Sequence, residues 1–302
     1  MTADRAPTFF LLGAPKAGTT ALYALLNQHP DVFLPAVKEP HHYAYRDHPL
    51  TFAGPADERI MRHMVIRDAQ RYRALYRGRS EAALGDASAM QLYVPGTEKR
   101  LTDELPDARF VVVLRDPVQR AFSSWLHLVR DDRERLSFED ALDAEAQRIA
   151  DDWIPLWHYV AVGRYAEQLT RWFAHAPPER FHVLLHDDLR SDPVAALRDV
   201  FRFLDVDPNV QIDTSLERNV SGVAKSRALQ RILSRPHPVK DAAKRLVPPE
   251  VKDRLVTWLR RRNVGEKPAL DPATASRLRA RFDDDVAKLE ELLGRDLTGW
   301  RA

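Results

Sequence analysis

Cysteine is absent from the 302 residues of this chain. Without a thiol there is no disulfide framework, no thiolate zinc or iron–sulfur site and no cysteine nucleophile, so several enzyme classes are excluded. Long hydrophobic runs are missing too: Phe110 to Leu114 is among the longest, whereas a membrane-spanning helix needs roughly 18 to 20 apolar residues. Phe9 to Leu12 is too short for a signal-peptide core. These absences predict a cytoplasmic protein without a transmembrane segment.

The whole chain has 46 basic and 44 acidic side chains, so their charges nearly balance. Their distribution is uneven, because residues 1–217 carry 26 basic and 33 acidic side chains, whereas residues 218–262 carry 13 and 3. A segment with this excess of cations concentrates anions around it. The charge of this segment is compatible with a solvated arginine-rich helix, with binding of a phosphate-bearing ligand or with binding of an anionic partner. No nucleic-acid-binding motif accompanies the charge, so nucleic acid is not expected as a partner.

Hydrophobic periodicity predicts that strands alternate with helices. Apolar runs at Thr8–Leu12, Arg109–Leu114 and Phe181–Leu185 are each followed by apolar residues at helical spacing. The Asp-Pro pairs at 116–117 and 192–193 are typical of helix starts. This alternation predicts an α/β fold, in which helices cover both faces of a parallel sheet. The C-terminal part lacks strand signals and is predicted to be helical.

The loop after the first strand has the composition of a phosphate cradle. It reads Gly13-Ala14-Pro15-Lys16-Ala17-Gly18-Thr19-Thr20, and its two glycines have the spacing found in loops that bind nucleotide triphosphates. Backbone N–H groups at a helix start, here those of Ala17, Gly18, Thr19 and Thr20, can hold an anion. Thr19 occupies the position of the usual lysine, so this is not a normal ATP loop. The structural alternative is an ordinary turn with a surface lysine.

A second candidate anion site follows the Arg109–Leu114 strand. Arg115 comes directly after it, and Ser123 lies about two helical turns later. An arginine fork can grip a phosphate and a hydroxyl can complete the contact. The alternative is a salt bridge and a serine at the start of a helix. Asp116 could also pass for the acidic residue that holds magnesium in ATPases, although the missing loop lysine argues against it.

The segment Lys38-Glu39-Pro40-His41-His42 contains candidate general bases. A hydroxyl acceptor attacks well only if a base takes its proton, and both a carboxylate and a histidine can do so. A nearby cation such as Lys38 lowers the pKa of a carboxylate. A structural Lys-Glu-Pro turn is the alternative. The adjacent histidines lack the usual spacing of metal ligands.

Taken in order, these motifs resemble the sulfotransferases that use 3′-phosphoadenosine 5′-phosphosulfate (PAPS), especially bacterial members and the heparan sulfate branch. The matching pieces cover about residues 8–235 and are residues 15–20, 38–40, 114–123, 163–172 and 189–193. The resemblance implies one P-loop-like domain over residues 1–302. Its donor-binding and catalytic core would be residues 8–235, and residues 236–302 would form a helical C-terminal part.

The resemblance also implies roles for individual residues. Lys16 would stabilise the charge that develops on the departing 5′-phosphate oxygen. Glu39 would be the base, with Lys38 near the sulfuryl oxygens. The 3′-phosphate would bind Arg115 and Ser123.

Three further candidate contacts to the PAPS donor depart from the family pattern. His186 stands where many relatives have a tyrosine near the adenine, and an imidazole can stack on a base. The alternative is a structural histidine at the end of a strand. Lys225 and Arg227 stand at the place of a basic loop that closes over the donor, although the order of residues differs from the family pattern. They are expected to contact the donor as well.

The sequence therefore predicts transfer of a sulfuryl group from PAPS to a hydroxyl of a small-molecule or carbohydrate acceptor, leaving 3′,5′-bisphosphoadenosine (PAP). A sulfuryl group carries less charge than a phosphoryl group, so no obligatory metal is expected. The alternatives are a nucleotide kinase or ATPase with an atypical P-loop, and a non-catalytic nucleotide-binding module. The acceptor is not determined by the sequence, and a homo-oligomer is compatible with it.

Overall fold

The computed structural model describes residues 5–216 and 268–301. Within these ranges there are five strands: β1 (Phe9–Gly13), β2 (Val32–Phe33), β3 (Ala83–Ala87), β4 (Arg109–Leu114) and β5 (Phe181–Leu185). They form one sheet in the order β2-β3-β1-β4-β5, and every neighbouring pair is parallel. The predicted α/β fold with a parallel sheet is confirmed.

Helices connect the strands and cover the sheet. The described α-helices are α1 (Thr19–Leu26), α2 (His42–Tyr45), α3 (Asp57–Met64), α4 (Ala69–Arg73), α5 (Thr97–Glu104), α6 (Pro117–Arg130), α7 (Phe138–Asp143), α8 (Glu145–Ala150), α9 (Tyr165–Phe173), α10 (His186–Ser191), α11 (Pro193–Phe203), α12 (Pro272–Leu293) and α13 (Thr298–Arg301). None of the helices in the described ranges is long and apolar enough to span a membrane.

The central strands are apolar because both of their faces are covered. Every residue of β1 is buried, and β4 is buried from Phe110 onward. Such strands read as continuous hydrophobic runs, which is why their sequences predict them. β3 is equally buried, but it contains Gly85 and Asp86. These residues weaken the strand pattern, so the sequence analysis does not predict β3.

Two aspartates set the starts of α6 and α11. The carboxylate of Asp116 accepts hydrogen bonds from the N–H groups of Val118 and Gln119, at 2.8 and 3.0 Å. That of Asp192 accepts one from Ala195 N–H at 2.9 Å. A proline follows each aspartate, where its missing N–H costs nothing. The predicted helix starts are confirmed, and α6 begins immediately beyond the end of β4.

The long helix α12 packs against α9 near the sheet. Its Asp285 carboxylate accepts hydrogen bonds from Ala166 N–H at 3.1 Å and Glu167 N–H at 3.2 Å, at the start of α9. The ring of Phe282 lies so close to Gly163 that a Cβ there would be 2.7 Å from it. The C-terminal part is helical where it is described, whereas the basic segment 218–262 lies outside the described residues.

Candidate active site

The loop between β1 and α1 lies at the carboxyl end of the central strand. It is tied to the neighbouring strand by a 2.6 Å hydrogen bond from Ala14 N–H to the Val113 carbonyl. Gly18 precedes α1 with φ of 108°, a left-handed conformation that favours glycine. The side chain of Thr19 is buried and Thr20 is exposed. The first N–H groups of α1 have no partner inside the helix, so the start of α1 can hold an anion. The Ala17 N–H, predicted as part of the cradle, instead donates to the Ala14 carbonyl at 3.0 Å.

Lys16 in this loop lies among other cations. Burial is the largest cause that lowers the pKa of its ammonium to about 8, and the nearby charges of Arg130, Arg115 and Lys38 contribute to this shift, whereas Asp131 opposes it. Desolvation and like charge both disfavour the ammonium. An anion placed among these cations would relieve their repulsion, which marks the position as a candidate anion site.

The first loop and the β4–α6 corner are in direct contact. Arg115 Nη1 donates a hydrogen bond to the Lys16 carbonyl at 3.2 Å. The Arg115 carbonyl in turn accepts one from the Tyr165 hydroxyl at 2.9 Å. Ser123 lies farther along α6 and is largely buried. The two predicted anion sites are therefore neighbours at the same edge of the sheet.

Glu39 is held at the carboxyl end of β3. Its backbone N–H donates to the Ala87 carbonyl at 3.0 Å, and its Oε2 accepts a hydrogen bond from Ala89 N–H at 2.8 Å. Oε1 contacts the ammonium of Lys38. Burial alone would raise the pKa of the Glu39 carboxyl, but Lys38, His41 and the hydrogen bonds together hold it below its ordinary value. The carboxylate is thus ionised near neutral pH.

The two rival histidines have different surroundings. His41 is fully buried, and its Nε2 lies 3.2 Å from Glu39 Oε2. Burial lowers the pKa of His41 to about 4. His42 stacks on Tyr72, with ring centroids 4.3 Å apart, and its Nδ1 lies 2.7 Å from the Ile66 carbonyl. Glu39 and His41 thus adjoin each other, whereas His42 packs in the core.

His186 follows β5 and adjoins the first loop. Its Cδ2 is 3.1 Å from the position that a Cβ on Gly18 would take. Burial and the charge of Arg115 lower the pKa of the imidazole. A cavity of about 590 Å³ opens beside it, and both His186 and Arg115 line this cavity. The predicted adenine contact therefore adjoins both predicted phosphate contacts.

Three polar residues near Lys16 are missed by the sequence analysis. His127 and Arg130 lie at the end of α6, with His127 Nδ1 2.6 Å from Arg130 Nη2, and Asp131 follows them. Burial and the charge of Lys16 lower the pKa of His127 to about 4. These residues lie four, seven and eight positions beyond Ser123, so helical spacing from that serine identifies the face they share.

Two predicted donor contacts, Lys225 and Arg227, lie outside the described residues. No group of three or more side chains suited to hold a metal ion lies within residues 5–216 and 268–301. The expectation that no metal is obligatory stays a prediction, as do the roles assigned to individual residues.

Comparisons with known proteins agree with this geometry. The model of the family described as the Sulfotransferase family matches residues 7–209. A solved sulfotransferase from Alicyclobacillus acidocaldarius is 37% identical, with a TM-score of 0.78, and the match covers 99% of this chain and 100% of that one.

Two human proteins are similar over part of their length. The bifunctional heparan sulfate N-deacetylase/N-sulfotransferase 3 is 26% identical over 222 residues, which are 71% of this chain and 24% of that protein. Carbohydrate sulfotransferase 15 is 26% identical over 249 residues, covering 67% and 44% respectively. The chain thus spans less than half the length of these curated relatives.

Proposed function

The chain belongs to the sulfotransferase family, and from this premise we propose that it transfers a sulfuryl group from PAPS to an acceptor hydroxyl. The observation that carries the proposal is the hydrogen bond between Arg115 Nη1 and the Lys16 carbonyl. Because the two anion sites touch, one nucleotide with phosphates at both ends of its ribose can contact both. The phosphates of a nucleotide triphosphate all lie in one chain at the 5′ position, so such a nucleotide has no phosphate for the site at Arg115 and Ser123.

The donor fits the residues at this edge of the sheet. Lys16 and the amides at the start of α1 would hold the 5′-phosphate, and Arg115 with Ser123 would hold the 3′-phosphate. The cavity beside His186 offers room for the adenosine. Lys225 and Arg227 remain proposed contacts from the part of the chain that is not described.

Lys16 supports the departure of the nucleotide. As the acceptor oxygen forms its bond to sulfur, the bond between sulfur and the bridging oxygen breaks, and its electron pair passes to the 5′-phosphate. An ammonium at that oxygen gains attraction as the negative charge grows, so it stabilises the transition state more than the ground state. With a pKa of about 8, Lys16 is mostly protonated at pH 7.

Glu39 is our candidate for the base that removes the acceptor proton. Its low pKa keeps it ionised, and its contact with Lys38 weakens it as a base. A sulfuryl group nearby would attract the Lys38 ammonium away from Glu39 Oε1. Loss of that contact would raise the pKa of Glu39, so the base would strengthen when the donor is in place.

We propose a carbohydrate or another hydroxylated small molecule as the acceptor. The support is the similarity to proteins named for heparan sulfate and carbohydrate sulfotransfer. Nothing in the proposal requires a protein or a nucleic acid as partner.

The test is incubation of the protein with radiolabelled PAPS and a panel of sugars, phenols, lipids and peptides. We expect label in at least one acceptor class, and we expect Glu39→Gln to reduce turnover by about 10²- to 10⁴-fold, the usual contribution of a positioned base. The affinity of this variant for PAP should stay unchanged, because the proposed role of Glu39 is to act on the acceptor and PAP lacks the sulfuryl group.

Three outcomes count against the proposal. Tight binding of PAP without turnover on any acceptor indicates a non-catalytic module. A larger thermal shift with magnesium-ATP than with PAP indicates a kinase or ATPase. Full turnover by Glu39→Gln contradicts only the assignment of Glu39 as the base and leaves the proposed activity in place.

A further inference from the structure

The cavity beside His186 is bounded by three separate parts of the chain. Its lining comes from the start of α6, from the residues directly after β5, and from residues 295–300, which we call the 295–300 turn. The turn comprises the connection between α12 and α13 and the first three residues of α13, which include Trp300. It lies outside residues 7–209, to which the family match is limited. The family match therefore gives no role to the residues of the 295–300 turn.

The cavity continues from the candidate phosphate site. Arg115 and His186 line it, and each also contacts the first loop, at Lys16 and Gly18 respectively. A nucleotide held in that loop by its 5′-phosphate would therefore extend toward the cavity. The cavity is thus continuous with the candidate phosphate site.

The charged groups that line the cavity are four carboxylates and three guanidinium groups, and two of the guanidinium groups are available to an anion. Each of the four lining aspartates has a partner. Asp116 accepts hydrogen bonds from α6 amides, and Asp296 accepts one from the Thr298 N–H. Asp187 lies beside His186, and Asp188 pairs with Arg295. Two lining guanidinium groups, Arg115 and Arg190, have no carboxylate within ion-pair distance among the described residues. Unpaired arginines suit a phosphate.

The 295–300 turn is attached to the site on both sides. Arg295 donates two hydrogen bonds to the Asp188 carboxylate, at 2.8 and 3.0 Å, just beyond β5. The Trp300 ring packs edge-on against Tyr165, with centroids 6.2 Å apart, and the Tyr165 hydroxyl bonds the Arg115 carbonyl. Trp300 is 7% exposed and lines the cavity. The turn is thus held in place by contacts on both sides, and Trp300 is one of the residues that line the cavity.

We propose that the 295–300 turn forms the adenosine-side wall of the donor pocket, with Trp300 in contact with the purine nucleoside. The inference rests on the proposed function, since it takes the nucleotide donor as the occupant. An aromatic side chain in a nucleotide pocket contributes contact with the base, which is large, flat and apolar on its faces. The α12–α13 region is then part of the donor site rather than a remote extension.

The experiment measures the Kd of PAP by calorimetry for the full chain and three variants. Trp300→Ala should weaken PAP by about tenfold, the size expected for loss of one aromatic contact with a base. Trp300→Phe keeps a ring and should stay within about threefold of the unchanged protein. Trp153→Phe is the matched control, because Trp153 packs against Arg148 and Trp157 and does not line the cavity. In turnover assays, Trp300→Ala should raise the donor KM and leave kcat nearly unchanged.

Thermal unfolding without ligand separates binding from folding. If Trp300→Ala does not fold, the fluorescence change caused by PAP gives the answer: Trp300→Phe should lose part of it and Trp153→Phe should not. A folded Trp300→Ala that binds PAP as tightly as the unchanged protein overturns this inference, as does an unaltered fluorescence change in Trp300→Phe. If the unchanged protein does not bind PAP at all, the proposed function itself fails.

Discussion

At the scale of single residues, the site gathers partly buried cations that an anion would stabilise. Lys16 has Arg115, Arg130 and Lys38 near it, and Asp131 offsets only part of their charge. Holding like charges together away from water costs free energy, and a bound anion recovers much of it. Burial, together with these neighbouring charges, lowers the pKa of Lys16 to about 8.

This lowered pKa predicts a pH dependence. The Lys16 ammonium is present below a pH of about 8 and is lost above it. We therefore expect kcat/KM for the donor to fall by up to about tenfold per pH unit above that value. Lys16→Arg should lack this decline, because a guanidinium stays charged there. Initial rates with radiolabelled donor from about pH 6 to about pH 10 test this, and a decline retained by Lys16→Arg would contradict it.

At the scale of elements, the carboxyl ends of the strands carry the candidate site. β4 has an arginine at each end: Arg109 begins the strand and pairs with Asp205, whereas Arg115 follows the strand and contacts the first loop. In open parallel sheets, ligands bind beyond the carboxyl ends, where loops and helix starts converge. The two arginines should thus differ in function although they belong to one strand.

Arg115→Ala and Arg109→Ala form a matched pair for that prediction. Arg115→Ala should weaken PAP by about 10- to 100-fold, the range for hydrogen bonds to a charged group. Adenosine 5′-monophosphate lacks the 3′-phosphate, so its affinity should change by less than about threefold. Calorimetry with both nucleotides measures the difference, and Arg109→Ala should alter neither affinity. Equal losses for the two nucleotides in Arg115→Ala would remove the 3′-phosphate assignment.

At the scale of the whole molecule, Asp57 joins segments that are far apart in the sequence. The side chain has no exposed surface, and its carboxylate contacts the Arg133 guanidinium. It also accepts hydrogen bonds from Ile154 N–H at 3.1 Å and from Trp157 Nε1 at 3.0 Å. Removing one partner of such a buried pair lowers the free energy of unfolding, because it leaves the other charge buried and unpaired.

Asp57→Ala should therefore lower the free energy of unfolding by about 3 to 5 kcal/mol. The adjacent Glu58 pairs with Arg62 on the exposed face of α3. Glu58→Gln is the control and should change the free energy of unfolding by less than about 1 kcal/mol. Urea denaturation measures both variants. Similar losses for the two would mean that burial of the Asp57 pair does not matter.

The sequence by itself determined the elements whose signals are local. β4 and β5 have the bounds that their apolar runs predict, and β1 differs by one residue at each end. α6 and α11 begin at their Asp-Pro pairs. Burial on both faces and capping act within a few residues of chain, so such elements are readable before the fold is known.

Contacts between distant segments were decided only by the tertiary structure. Arg115 meets the carbonyl of Lys16, and His186 packs on Gly18, because β1, β4 and β5 end side by side. The 295–300 turn lies at the cavity, where Arg295 pairs with Asp188 just beyond β5. Strand order depends on how the helices pack over the whole sheet, and no local pattern encodes it, so which side chains meet at the site follows from the fold alone.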